Sequence, residues 1–179
     1  MNKYPVSLKF GVIAGIIMII IMLAIYLVSV NSLASLVIYT IYLPLIFLMI
    51  WGGITARREL GKFNGFGHAF LTVFIISITA TLLFDSFGFI LYKVIDPQIP
   101  VIIKARVIEN TSNMMEKLGA SDEKTEETMQ KIKDQDFTPT ITSQLERMAS
   151  SLIIGAIFSA LIGLFVSRGE NRPIIKAEE

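Results

Sequence analysis

Residues 70–92 read FLTVFIISITATLLFDSFGFILY, and Asp85 is the only charged side chain among them. A helix rises ~1.5 Å per residue and bilayer hydrocarbon is ~30 Å thick, so about 20 such residues cross it. Three further stretches meet the same condition: Phe10 to Val30, Leu33 to Ala56 and Met148 to Ser167. The 53% apolar content and mean hydropathy of +0.64 are concentrated in these blocks rather than in amphipathic faces, which excludes an ordinary soluble domain. The expected fold class is all-α, a polytopic membrane protein with four transmembrane helices and a helical extracytoplasmic insert between the third and fourth. Residues 1–92 hold the first three crossings, 93–147 the insert, and 148–179 the fourth crossing with a cytoplasmic tail.

Charge gives the orientation. Lys and Arg in short loops are retained on the cytoplasmic side. With four crossings, Lys3, Lys9, Arg57, Arg58, Lys62, Arg168, Arg172 and Lys176 all fall on one side, whereas the turn at Asn31 and Ser32 is uncharged. The expectation is both termini in the cytoplasm and the insert outside. The first apolar block, followed by Ser32-Leu33-Ala34, has some features of a cleaved leader, but it exceeds the usual ~7–15 apolar residues and leads straight into a second block. It reads as an uncleaved helix. A net charge of +1 gives no field for nucleic acid.

Local signals refine the path. Ser29 to Ser32 suffices for a tight hairpin between the first two crossings. Pro44 falls mid-way through the second segment, where its missing N–H predicts a kink. Arg57 to His68 reads as a connection at the headgroups, with Arg57, Arg58 and Lys62 facing anionic lipid and Phe63 and Phe66 in the interface. Its glycines satisfy no phosphate-loop pattern. In the insert, Pro97 and Pro100 redirect the chain, a helix is expected over Val101 to Leu118, and Gly119 stops it. Ser121 is the expected N-cap of a second helix reaching about Gln135, and Thr138-Pro139 the start of a third. If that helix continues into the last crossing, it stands two to three turns beyond the bilayer at ~3.6 residues per turn.

Few residues carry chemistry. There is no cysteine and one histidine, His68, so the types needed for a zinc site do not cluster and no metal, cofactor or catalytic residue is assigned. Asp85, in the outer half of the third crossing, is the intramembrane polar candidate, with Ser86, Asn31, Ser29 and Ser151 as candidate partners. It is either a proton or cation site or an interhelical polar clamp. The clamp is preferred, because transporters place such sites near the midplane between broken helices. The fourth crossing repeats Ser151, Gly155, Ser159, Gly163 and Ser167 every fourth residue, and the first has Gly11 and Gly15. Small residues at this spacing let helix backbones approach closely, within one chain, with a second copy, or with another membrane protein.

These features, with Lys9-Phe10-Gly11 to Gly15, Arg57-Arg58-Glu59 to Gly67-His68-Ala69-Phe70 and Tyr92-Lys93-Val94-Ile95-Asp96-Pro97, resemble the domain of unknown function 4199 family, typical of Bacteroidota. The resemblance implies a small four-helix protein of the bacterial inner membrane, without an assigned reaction. It also carries an association with membrane glycosyltransferases as gene neighbours. The leading expectation is a non-enzymatic scaffold or accessory subunit in the lipid bilayer, with a homo-oligomer or membrane-protein partner. The alternative is a small oligomeric transporter or channel using Asp85 and the Pro44 kink. An enzyme acting on lipid headgroups would lack a positioned acid-base pair.

Overall fold

The computed structural model describes residues 4–34, 36–61, 63 and 65–167. Lys3, Lys62, Arg168, Arg172 and Lys176, which bear on the orientation and the headgroup contacts, lie outside them. Four segments, Pro5–Val28, Ile38–Leu60, Phe66–Ile95 and Ile141–Ser167, are long and apolar enough to cross a membrane. No strand occurs among the described residues. The protein is an all-α polytopic membrane protein.

Helix α1, Pro5–Val28, starts on a proline at its first position, where no N–H is needed. It turns the face Ser7, Gly11, Ala14, Gly15, Met18 and Met22 inward. The second crossing departs from the continuous helix expected over Leu33 to Ala56. Two 3-10 turns, Val30–Ala34 and Leu36–Ile41, precede α2, Tyr42–Leu60. Pro44 is the cause that the chemistry supplies. An α-helix running through it would lose a hydrogen bond, whereas a change from 3-10 to α-helix at Tyr42 puts it in the first α turn. Pro44 therefore lies in the first turn of α2, just past the change from 3-10 to α-helix, rather than mid-way through an α-helix.

The connection expected over Arg57 to His68 is shorter. Arg57 and Arg58 belong to the last turn of α2, and α3, Phe66–Ile90, already contains His68. Gly61 and Gly65 bracket the turn at φ 76° and 82°, a left-handed region open to glycine at no steric cost. Phe63 is buried rather than interfacial, with its ring 5.3 Å from that of His68. The third crossing continues past α3 through a π-helical turn, Leu91–Ile95. Asp96 then fixes the corner, accepting from the Tyr26 hydroxyl and the Gln98 N–H, each at 3.1 Å.

The insert folds as two helices, α4, Ile99–Lys117, and α5, Asp122–Asp134. Gly119 at φ 64° ends α4, with its N–H on the Glu116 carbonyl and the Ala120 N–H on the Met115 carbonyl, the paired bonds that terminate a helix on glycine. Lys104 of α4 reaches across and donates to the carbonyls of Lys133 and Gln135 at 2.6 and 2.8 Å, closing the C-terminal end of α5 with a cation where the helix dipole favours one. Arg106 Nε donates to Asn31 Oδ1 at 3.0 Å, joining the insert to the first hairpin.

The last helix, α6, is Ile141–Ser167. It starts at Thr140 rather than at Thr138-Pro139: the Thr140 Oγ1 accepts from the Ser143 N–H at 3.1 Å, and the Ser143 Oγ from the Thr140 N–H at 2.9 Å. This reciprocal pair satisfies two orphan donors, while Asp136 holds the preceding turn by accepting from the Thr138 N–H at 2.8 Å. The 27 residues of α6 run unbroken for about 40 Å, longer than the hydrocarbon requires. At the bundle's centre stands α3, packed against α1, α2 and α6.

Candidate functional site

Two stripes face each other inside the bundle. Ser77, Thr81 and Asp85 lie one turn apart on α3, all buried. The Thr81 hydroxyl donates to the Ser77 carbonyl at 2.9 Å, so its polarity is satisfied within the helix. Opposite, Gly155 of α6 meets Ser77 so closely that an added Cβ would lie 2.7 Å from the serine Oγ. One turn on, Ser159 is fully enclosed, and a Cβ at Gly163 would lie 3.1 Å from the Phe70 Cα. On the other side of α3, a Cβ at Gly11 would meet Thr79 Cβ at 2.6 Å and one at Gly15 would meet Leu83 Cβ at 3.0 Å. Gly11, Gly15, Gly155 and Gly163 therefore all face α3 of their own chain.

Helices α2 and α6 meet at the end of the bundle where α1 begins and α6 ends. There Arg57 Nη1 donates to the Val166 carbonyl at 3.0 Å, and a Cβ on Gly53 would lie 3.3 Å from Val166 Cγ2. Arg57, expected at lipid headgroups, thus has a protein partner, while Arg58 is exposed. Towards the insert the two helices part. Between them opens a cavity of about 370 Å³, walled by Tyr42, Leu45 and Met49 of α2, Ser77 and Thr81 of α3, and Ser151, Gly155 and Phe158 of α6.

One turn along α3 from Thr81, which lines the cleft, stands Asp85. Its residue is 7% exposed, with the Ser151 hydroxyl and the Arg147 guanidinium in its neighbourhood. The phenols of Tyr42 and Tyr92 lie in the same region. Gln144 Nε2 donates to the Asp85 backbone carbonyl at 3.0 Å. Of the partners named from sequence, Ser151 is the one that the structure brings to Asp85; Asn31 is engaged by Arg106 instead, and Ser86 points outward as an exposed residue. Arg147, Gln144, Tyr42 and Tyr92 escaped the sequence reading. A signal for the first was available: Arg147 continues the four-residue stride of Ser151, Gly155, Ser159 and Gly163 by one step.

His68 stands apart from this cluster, half-buried between Tyr4, with ring centroids 5.9 Å apart, and Phe63. No group of three His, Cys, Asp or Glu side chains able to hold a metal ion occurs among the described residues.

A family model described as protein of unknown function (DUF4199) matches residues 9–168. The chain belongs to that family. No curated protein and no solved structure matches it. The DUF4199 match takes in most of α1, the insert and all of α6, so the cleft, Asp85, Arg147 and Ser151 lie inside the family's unit rather than in an appendage.

Proposed function

We propose that the protein is a non-enzymatic accessory subunit of the bacterial inner membrane, with both termini in the cytoplasm and the insert outside, which holds a partner membrane protein. The observation that carries this reading is the position of α3. A helix with close contacts on three sides fills the axis where a four-helix pore would have its lumen. The glycine seams are engaged within the chain, which supports a preassembled bundle whose partner contacts lie on its outside. The projecting start of α6 offers such a surface, with Ile141 and Leu145 one turn apart and 71% and 61% exposed.

The partner is a membrane enzyme such as a glycosyltransferase, or a second copy of the chain. Purification from native membranes in mild detergent tests this: a stoichiometric second component is expected, and its loss is expected on Leu145→Glu. A parent protein that emerges only as a lone monomer would count against the reading. The transport alternative draws support from the cleft that approaches Asp85. However, a carboxyl that already has the Ser151 hydroxyl and the Arg147 guanidinium for company suits a clamp better than a carrier.

A further inference from the structure

We infer that the cleft between α2 and α6 is a phospholipid site, with one acyl chain in the cavity and the lipid phosphate on Arg147. This goes beyond the subunit reading and does not depend on it. Every wall of the cavity belongs to a membrane-crossing segment, so what fills it comes from the bilayer. Its volume of about 370 Å³ falls in the ~300–1,000 Å³ range of small-molecule sites, and its side chains are mostly apolar, as a hydrocarbon chain requires. Of its polar lining, the Thr81 hydroxyl is already bonded to the Ser77 carbonyl.

The depth of Arg147 fixes the head of the ligand. The Arg57 bond to Val166 marks one edge of the bundle, and counting back along α6 at ~1.5 Å per residue puts Arg147 about 30 Å away, at the opposite headgroup level. From there the cleft runs inward past Ser151, one turn deeper. The ion pairs among the described residues are Arg106 with Glu109 and Lys131 with Glu127, so Arg147 has none. Arg147, an exposed residue, precedes the cavity-lining Ser151 by four residues and so stands on the same face of α6, one turn further out. A planar fork of donors at the mouth of an apolar slot matches a phosphate followed by a fatty chain.

Native mass spectrometry of the full-length protein, released from detergent after incubation with phosphatidylglycerol, tests the inference. The parent is expected to retain one lipid. Arg147→Gln should weaken retention about tenfold, as loss of a charge-assisted contact implies, and Arg147→Lys should restore part of it. Ile154→Trp, which fills the cleft from a half-exposed position, should abolish retention while leaving the circular dichroism of the helices unchanged. Equal lipid retention by the parent and both cleft variants would overturn the inference. So would disulfide dimers formed in high yield by Ile154→Cys, since a second copy would then occupy the cleft, or displacement of the lipid by inorganic phosphate alone, since the chain would then contribute nothing.

Discussion

Arg57 Nη1 donates to the Val166 carbonyl across 3.0 Å, so a cation from the last turn of α2 closes the last turn of α6. This one bond joins elements 109 residues apart in the chain and satisfies a carbonyl that helix geometry leaves without a partner. Arg57→Gln is expected to lower stability by about 1 kcal/mol. Thermal unfolding in detergent, monitored by the loss of helical circular dichroism, measures it. Arg58→Gln, on an exposed side chain, should have no measurable effect.

The glycines of the bundle are not equivalent. An added methyl at Gly11 meets Thr79 Cβ and the Ile76 carbonyl at 2.6 and 2.9 Å, atoms close to or in the backbone that cannot rotate away, so Gly11→Ala should cost about 1–3 kcal/mol. Gly67 has nothing within 4 Å, and Gly67→Ala should be neutral or stabilise by about 0.5 kcal/mol.

Gly155 tests coupling between α3 and α6. Its neighbour is a rotatable serine hydroxyl at 2.7 Å, so the cost of Gly155→Ala should shrink when combined with Ser77→Ala. A double-mutant cycle is expected to give an interaction of about 0.5–1 kcal/mol. Strict additivity would mean that the helices do not approach as closely as described.

Asp85→Asn keeps the shape of the side chain and a partner for Ser151, and assembly should survive it. Ser151→Ala, which removes the hydroxyl beside Asp85, should cost no more than about 0.6 kcal/mol, the usual scale for an interhelical hydrogen bond in a membrane. A loss several times larger in either variant would show that the cluster contributes far more than a clamp.

The insert should respond to acid. The Thr138 hydroxyl and N–H hold the Asp136 carboxyl below its ordinary range, and a hydrogen bond from Lys131 does the same for Glu127. A carboxyl depressed by folding adds stability above its unfolded value, and this is lost as pH falls through the folded one. Hydrogen exchange in residues 122–140 should therefore be slow and nearly constant, at corrected intrinsic rate, down to about pH 5, and quicken below about pH 4. Lys104→Met should quicken it at neutral pH, because the α5 carbonyls lose their cation.

Much of this fold was legible because bilayer thickness imposes a length that composition alone reveals; residues 70–92 needed no tertiary information to be read as a crossing. The insert's glycine stop was legible for a local reason as well, since a positive φ at Gly119 depends on the residue and not on its surroundings. What failed depended on competition. Pro44 prefers a helix start to a kink, but only the turns before it reveal which was adopted. Thr138-Pro139 looks as good a start as Thr140 until Asp136 is seen to claim the Thr138 N–H. Asp85 was recognisable as an outlier from its type alone. Arg147 was not, because an arginine near a helix end is ordinary until the α6 stripe is traced back to it.

Helix α6 has no proline and no break between Ile141 and Ser167. A rod without a joint behaves as a lever: a sideways load applied above the membrane is carried to its far tip rather than absorbed by bending. Close seats at Gly155 on Ser77 and at Gly163 on Phe70 hold it along its length, and the Arg57 bond ties its last turn.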